Sequence, residues 1–285
     1  IYRLLRSGEV RVNKKRVKAE TRLALDDIVR VPPIRVPQKR DLVPRAAPIS
    51  DDTLPILFED EHLLIVDKPA GLACHGGSGI AFGLIERLRA SRPNQPFLEL
   101  AHRLDRDTSG AIIVCKSRKA LVRLQKSMRE GGIEKHYRTL VKGDWVNDRQ
   151  HVKLPLFKYV TKEGERRVRV DPEKGVPSHS IFTLIRRYGD VSFLDVELLT
   201  GRTHQIRVHA AESGHPLVGD DKYGDFDFNR EVSKGLLGIP FRRMFLHSYS
   251  LAFEHPVTHE KMKIESPLPE ACEELIRVLN ERKTV

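Results

Sequence analysis

The stretch Leu100–Val114, "LAHRLDRDTSGAIIV", decides how this chain is read. Charge sits at Arg103, Asp105, Arg106 and Asp107, and an apolar run, Ala111 to Val114, follows at once. "FLELAHRL" reads as a strand before the charges and "AIIVC" as a strand after them, with Thr108-Ser109-Gly110 as the turn between. A charged loop held between two buried strands is either a catalytic group on a rigid frame or the solvated tip of a hairpin. On local pattern alone the solvated tip is the commoner case, because most charge runs are solvated faces.

Working outward, strands outnumber helices. "PILFEDEHLLIVDKPAG" reads as two short strands around a polar turn at Glu59-Asp60-Glu61. Residues 80–91 read as a helix with Ile80, Leu84, Ile85 and Leu88 on one face. "SRKALVRLQKSMREGG" reads as a second helix, N-capped by Ser117 and stopped near Gly131. Strands follow in "EKHYRTLVKG", "RRVRV", "SHSIFTLIRRYG" and "VSFLDVELLTG". A short helix in "THQIRVHAAESGHP" takes Thr203 as its N-cap, then come a strand in "FLHSYSLAFEHP" and a closing helix over 268–281. Strands joined by turns predict an α+β fold with a mixed, mainly antiparallel sheet rather than a doubly wound one.

The basic charge is concentrated. The chain has 285 residues and a net charge of +11. Residues 1–40 carry twelve Lys/Arg and four acids, hence eight of the eleven net charges. A polyanionic partner is expected, held by a basic N-terminal attachment on a nearly neutral body. Residues 1–33 contain a helix end near Gly8, a strand "EVRVN", a turn at Asn13-Lys14-Lys15 and a strand "DIVRVPP". They are too few for a core of their own and read as part of a small module whose first half is missing. Residues 34–54, proline-rich and without apolar periodicity, read as a linker, and 55–285 as the main domain. Cys74, Cys115 and Cys272 lie far apart, which predicts free thiols in a reducing cytosol. No apolar run reaches the length of a membrane span.

Four stretches carry candidate chemistry: "HRLDRDTSG", "EKHYRTL", "LLTGRTHQIRVHAAESGHPLVGDDKYG" and "IVDKPAGLACHGG". His204, Arg207 and Ala211 share a helix face, so Arg207 points inward and needs a carboxylate or a route to solvent. His204, His209 and His215 lack the spacing of a helical metal pair, so they read as surface or capping histidines and no metal is expected. "GGSGIAFG" lacks the phosphate-loop pattern, and Ser109 lacks a nucleophile's context, so a structural role in hydrogen bonding to the chain is expected for it. The acids are not expected to cluster, which disfavours a metal-dependent nuclease. What remains is a carboxylate working beside an arginine and an aromatic ring.

These stretches resemble the A family of ribosomal large-subunit pseudouridine synthases. "HRLDRDTSG" is similar to that family's hallmark motif, and "ILFEDEHLLIVDKPAGL", "KHYRTLVKG", "GRTHQIRVHAAESGHPLVGDDKYG" and "FLHSYSLAFEHP" resemble its other blocks in the family's order. The basic segment resembles the second half of an S4 RNA-binding domain. The resemblance implies Asp105 as the essential aspartate, Arg207 as its neighbouring cation, Tyr137 as the ring that stacks on the target base, and Arg103 as the group that fills the gap left by the flipped nucleotide. It also implies RNA contacts from Arg11, Lys14, Lys15 and Arg16. His102 is expected to position the loop. Arg106 and Asp107 are expected to be structural or RNA-facing, and Lys68 and His75 to line the RNA cleft. No metal, nucleotide or redox cofactor is expected. The expected partner is large-subunit ribosomal RNA, with no membrane, and the expected state is a cytoplasmic monomer. The alternative is an RNA-binding protein without catalysis, which the joint presence of Asp105, Tyr137 and Arg207 disfavours.

Overall fold

The computed structural model describes residues 4–5, 7–32, 49, 54–77 and 82–282. The chain divides into two compact units, Ile1–Arg45 and Ala46–Val285.

In the first unit β1 (Arg11–Val12) pairs with β2 (Lys15–Arg16) and β3 (Val29–Arg30). Asn13 and Lys14 both have positive φ, 48° and 69°. That is the conformation of a two-residue type I′ hairpin, whose twist matches the flanking strands. Lys15 therefore belongs to β2, opposite Val12, rather than to the turn. The Asn13 side chain ties the hairpin to the next turn by donating to Asp27 Oδ1 and accepting from Ile28 N, at 2.7 and 3.0 Å.

The second unit runs β4 (Ile56–Glu59), β5 (Leu63–Lys68), α1 (Leu84–Ser91), β6 (Glu99–Leu100), β7 (Ser109–Cys115), α2 (Arg118–Arg129) and β8 (Ile133–Lys142). It continues through β9 (Arg149–Lys153), β10 (Leu156–Val160), β11 (Arg166–Val170), β12 (His179–Arg187) and β13 (Val191–Leu198). The last elements are α3 (Gln205–Glu212), α4 (Phe226–Val232), β14 (Leu246–Glu254), β15 (Lys261–Glu265) and α5 (Glu270–Glu281). The main sheet has the order β4-β5-β7-β14-β8-β13-β12-β9, with β6 beside β7 and β15 beside β14. Its pairs are antiparallel except β7 with β14, so the fold is the mixed, mainly antiparallel α+β fold expected. β10 and β11 form a separate hairpin.

Both faces of the sheet centre are covered, which explains the unbroken runs "LLIV" and "AIIVC". Leu64, Val66, Ile112 and Val114 pack with Leu84, Ile85 and Leu88 of α1. Leu63, Ile65, Ile113 and Cys115 pack on the opposite face with Ala120 and Leu124 of α2. A third cluster joins Leu140 and Phe193 to Leu275 and Leu279 of α5.

Several sequence expectations shift. The strand read in "FLELAHRL" shrinks to Glu99–Leu100, and Ser109-Gly110 open β7 instead of forming a turn. They do so because they pair in parallel with His247 and Ser248 of β14. Gly110 has φ +112°, and a Cβ there would lie 2.3 Å from Ser248 O, so this crossing admits only glycine. Ser109 Oγ bonds to side chains, not to backbone: Arg243 donates to it at 2.7 Å and His247 Nδ1 lies 2.9 Å away. His204, not Thr203, occupies the N-cap position of α3, without a side-chain capping bond. α1 begins at Leu84, and Ile80 lies outside the described residues. The body reaches back into the segment read as linker. Ile49 is buried in the core, and its N–H and C=O both bond to Ser91 Oγ, at 2.9 and 2.8 Å; most of residues 34–54 lie outside the described residues.

Two fully buried histidines, His209 and His247, make the fold acid-sensitive. Burial pulls both down to about 4, from an ordinary value near about 6.5. The unfolded chain binds these protons as pH falls through the ordinary value, while the folded chain refuses them until about 4. The stability they confer is thus complete above the unfolded value and is lost on acidification across this window, each contributing about 3 kcal/mol. Urea melts at neutral and mildly acidic pH should show this loss, and His209→Gln should flatten it. An unchanged pH slope in that variant would remove His209 from the account.

Candidate functional site

The loop carrying Asp105 is built by backbone capture. Lys68, at the end of β5, is completely buried, and its ammonium donates to the carbonyls of Pro69, Leu72 and Arg106 at 2.9, 2.7 and 3.0 Å. Gly71 N donates to the same Arg106 carbonyl at 2.8 Å. Cys74 Sγ meets Leu104 N at 3.3 Å and Leu104 O at 3.2 Å. His102 Nε2 accepts from Ile113 N at 3.2 Å, tying the loop to β7, and burial lowers its pKa to about 4. The free nitrogen lone pair that makes this bond requires that neutral ring. Thr108 N closes the turn on Asp105 O at 3.2 Å. Lys68 therefore does not line the cleft, contrary to the expectation from sequence; burial lowers its pKa to about 8 while it holds the loop from behind. His75 does line the cleft.

Asp105, Tyr137 and Arg207 line one cleft of about 670 Å³. Tyr137 is central in β8 and 5% exposed, part of the core and of the cleft wall together. Its burial pushes the phenol above its ordinary range. Arg103 is exposed and lines the same cleft. Arg129, Lys135, Lys158 and Arg202 add positive charge to the lining, where Asp105 is the acidic member among the described residues. Arg106 and Asp107 pair with each other at 3.2 Å.

Arg207 serves more than Asp105. Its Nε and one NH2 clasp Asp220 at 2.7 and 2.6 Å, with both side chains almost completely buried. The same NH2 reaches Asp221 at 3.0 Å. The remaining nitrogen, NH1, faces Asp105 Oδ2 at 3.5 Å. Asp220 is saturated by further bonds from Lys222 N and Tyr223 N at 2.8 and 3.0 Å. Burial works against both charges. The Arg207 bond nonetheless holds the Asp220 carboxyl below its usual range, and Asp220 in turn holds the guanidinium above its own. Three carboxylates, Asp105 and the adjacent pair Asp220-Asp221, thus converge in space, contrary to the expectation that the acids do not cluster, and they converge on a guanidinium rather than on a metal-binding group.

The histidine reading also changes. His209 is fully buried against Ser178 Oγ at 2.8 Å, so it is neither a surface nor a capping residue. His215 Nδ1 lies 2.9 Å from Lys142 O. His204 lines the cleft with Nε2 3.9 Å from Asp105 Oδ1 and Nδ1 2.7 Å from Tyr223 OH. Among the described residues no three His, Cys, Asp or Glu side chains form a metal-binding group. Asp220, His204 and Tyr223 escaped sequence reasoning as site residues. The one available signal was the doubled acid of "VGDDKYG" beside a glycine turn. In the first unit Arg11, Lys14, Lys15 and Arg16 are all exposed.

Comparison with known proteins gives this geometry a family. The family model described as RNA pseudouridylate synthase matches residues 62–212, over half the chain. A Salmonella typhimurium protein named ribosomal large subunit pseudouridine synthase C is 46% identical over 99% of this chain and 88% of its own length. A Pasteurella multocida protein of the same name is 48% identical over 100% of this chain and 86% of its own. The solved structure of Human RNA Pseudouridylate Synthase Domain Containing 1 superposes with a TM-score of 0.62 at 26% identity, covering 83% of this chain and 98% of that one. The mixed sheet is therefore that of an RNA-modifying isomerase. The chain belongs to the RNA pseudouridylate synthase family.

The arginine cluster separates a buried pair from an exposed one. Asp220→Ala removes the bidentate partner of a buried guanidinium and should destabilise the protein by about 3–5 kcal/mol. Asp221 is 59% exposed, and Asp221→Ala should cost less than about 1 kcal/mol. Denaturant titration of the two variants checks the ranking; equal losses would show that Asp220 is not the anchor.

Proposed function

We propose that this protein isomerises specific uridines of large-subunit ribosomal RNA to pseudouridine, with Asp105 as the essential carboxylate. The observation that carries the reading is the meeting of Asp105, Tyr137 and Arg207 in one cation-lined cleft, from segments far apart in the chain. The names of the 46–48% identical relatives support the choice of RNA. In the reaction the bond between ribose C1′ and uracil N1 breaks, the base turns, and C5 bonds to C1′. C5 gives up its proton and N1 gains one, so nothing is oxidised and no water is consumed. The enzyme must expose the base, hold it while detached and supply one carboxylate.

Each part has a residue. Arg103 occupies the gap in the RNA left by the flipped nucleotide, offsetting part of an unstacking cost of a few kcal/mol. Tyr137 stacks on the base, worth about 1–3 kcal/mol. Its raised pKa keeps the hydroxyl protonated and able to donate. Arg207 NH1 holds Asp105 Oδ2 by charge and direction. Arg129, Lys135, Lys158 and Arg202 take the flanking phosphates. The first unit, which resembles the second half of an S4 domain, adds phosphate contacts from Arg11, Lys14, Lys15 and Arg16. The protein acts as a cytoplasmic monomer and needs no cofactor.

Two experiments test this reading. Asp105→Asn keeps the side chain's size and removes the ionised oxygen. It should bind ribosomal RNA normally and form no pseudouridine in a single-turnover assay; a rate within about tenfold of wild type would sink the assignment. Changing Arg11, Lys14, Lys15 and Arg16 together to Gln should flatten the slope of log affinity against log salt by about 0.7–0.9 per lost phosphate contact. The rate on saturating RNA should stay unchanged. Equal slopes would place these four cations off the RNA.

A further inference from the structure

His204 has no part in the chemistry so far, yet its geometry is constrained from three sides. Its backbone is left-handed, φ 53° and ψ 22°, directly before α3. Non-glycine residues seldom hold that conformation, though His, Asn and Asp do so more readily than most. Its ring makes two directed approaches. Nδ1 lies 2.7 Å from Tyr223 OH, and Nε2 lies 3.9 Å from Asp105 Oδ1. Tyr223 OH already accepts the Val168 N–H of the β10–β11 hairpin at 2.8 Å.

These bonds define a direction. The Tyr223 hydroxyl oxygen accepts a hydrogen bond from Val168 N–H, and its own hydrogen is left for His204 Nδ1. That nitrogen is then the bare one, and the neutral ring carries its proton on Nε2, toward Asp105. Burial lowers the pKa of His204, and the charges of Arg207 and Lys222 add to the effect while Asp105 and Asp220 oppose it. The two oxygens of Asp105 thus face separate donors, Oδ2 facing Arg207 NH1 at 3.5 Å and Oδ1 facing His204 Nε2 at 3.9 Å. Both approaches are long, as such bonds commonly are before substrate tightens them.

We propose that His204 is a positioning residue for Asp105: its Nε2–H, fixed by the Val168–Tyr223 hydrogen-bond relay, holds Oδ1 while Arg207 holds Oδ2, and so sets the carboxylate's orientation toward the flipped nucleotide. The relay starts in the β10–β11 hairpin, which carries Lys158 of the cleft lining. Seating RNA against the hairpin and aiming Asp105 are thereby one linked event. The inference rests on Asp105 being the reacting carboxylate.

The test uses the full chain and single-turnover pseudouridine formation, with RNA affinity measured alongside. His204→Asn suits the left-handed backbone but reaches only as far as Nδ1. It should slow the chemical step about 10- to 100-fold, the scale of a misplacement of about 1 Å, with RNA affinity unchanged. His204→Gln reaches as far as Nε2 with an amide donor and should recover most of the rate. Tyr223→Phe should slow the wild-type enzyme but add nothing to His204→Asn, because both break one relay. A wild-type rate in His204→Asn, a Gln variant as slow as the Asn variant, or equal effects of Tyr223→Phe in both backgrounds would each overturn the proposal. An active Asp105→Asn would instead overturn the reading beneath it.

Discussion

The site depends on the pair formed by Arg207 and Asp220. Two parallel hydrogen bonds hold a 3% exposed guanidinium against a carboxylate with no exposure at all. Taking both charges out of water is costly, and only near-ideal geometry offsets it. The structure meets that demand by giving Asp220 two backbone donors besides the arginine. The guanidinium is planar, so clasping Asp220 along one edge fixes where NH1 points. It points at Asp105. A lysine would satisfy the charge without dictating that direction, which accounts for an arginine on the inner face of a short helix.

The opposite constraint applies to Asp105 itself. The role proposed for Asp105 requires a carboxylate that protein donors leave unsaturated. The Asp105 loop is immobilised through the backbone, by Lys68, Gly71 and Cys74, while among the described residues its side chain has only long approaches from Arg207 and His204. Rigidity comes from behind the loop, and the carboxylate stays open in front. The parallel contact of β7 with β14 supports the same arrangement, because it fixes where the chain leaves the loop.

Legibility from sequence followed the range of the interactions. Helices α2 and α5 and strands β5, β7, β8 and β14 were readable because their signals are local: an N-cap at Ser117, apolar runs, turn residues. The strand opening at Ser109 was not, because a glycine beside charges looks like a turn until its partner Ser248, far along the chain, is known. The same holds in the site. Asp105, Tyr137 and Arg207 stood out through motif resemblance. Asp220 sits thirteen positions from Arg207 and Tyr223 nineteen from His204, with no pattern to announce either bond. Lys68, expected to line the RNA cleft, misled for a related reason: the three carbonyls converging on it, which explain its burial, belong to a fold the local "DKPAG" pattern does not announce.

The bond between Cys74 and Leu104 has a consequence for chemical probing. The thiol is 5% exposed, and burial raises its pKa, so in the closed loop it is a poor nucleophile behind a steric barrier. An alkylating reagent can react only after the segment around Cys74 parts from Leu104. Its labelling rate is therefore a clock for excursions of the Asp105 loop. A ligand that settles the loop would slow that clock.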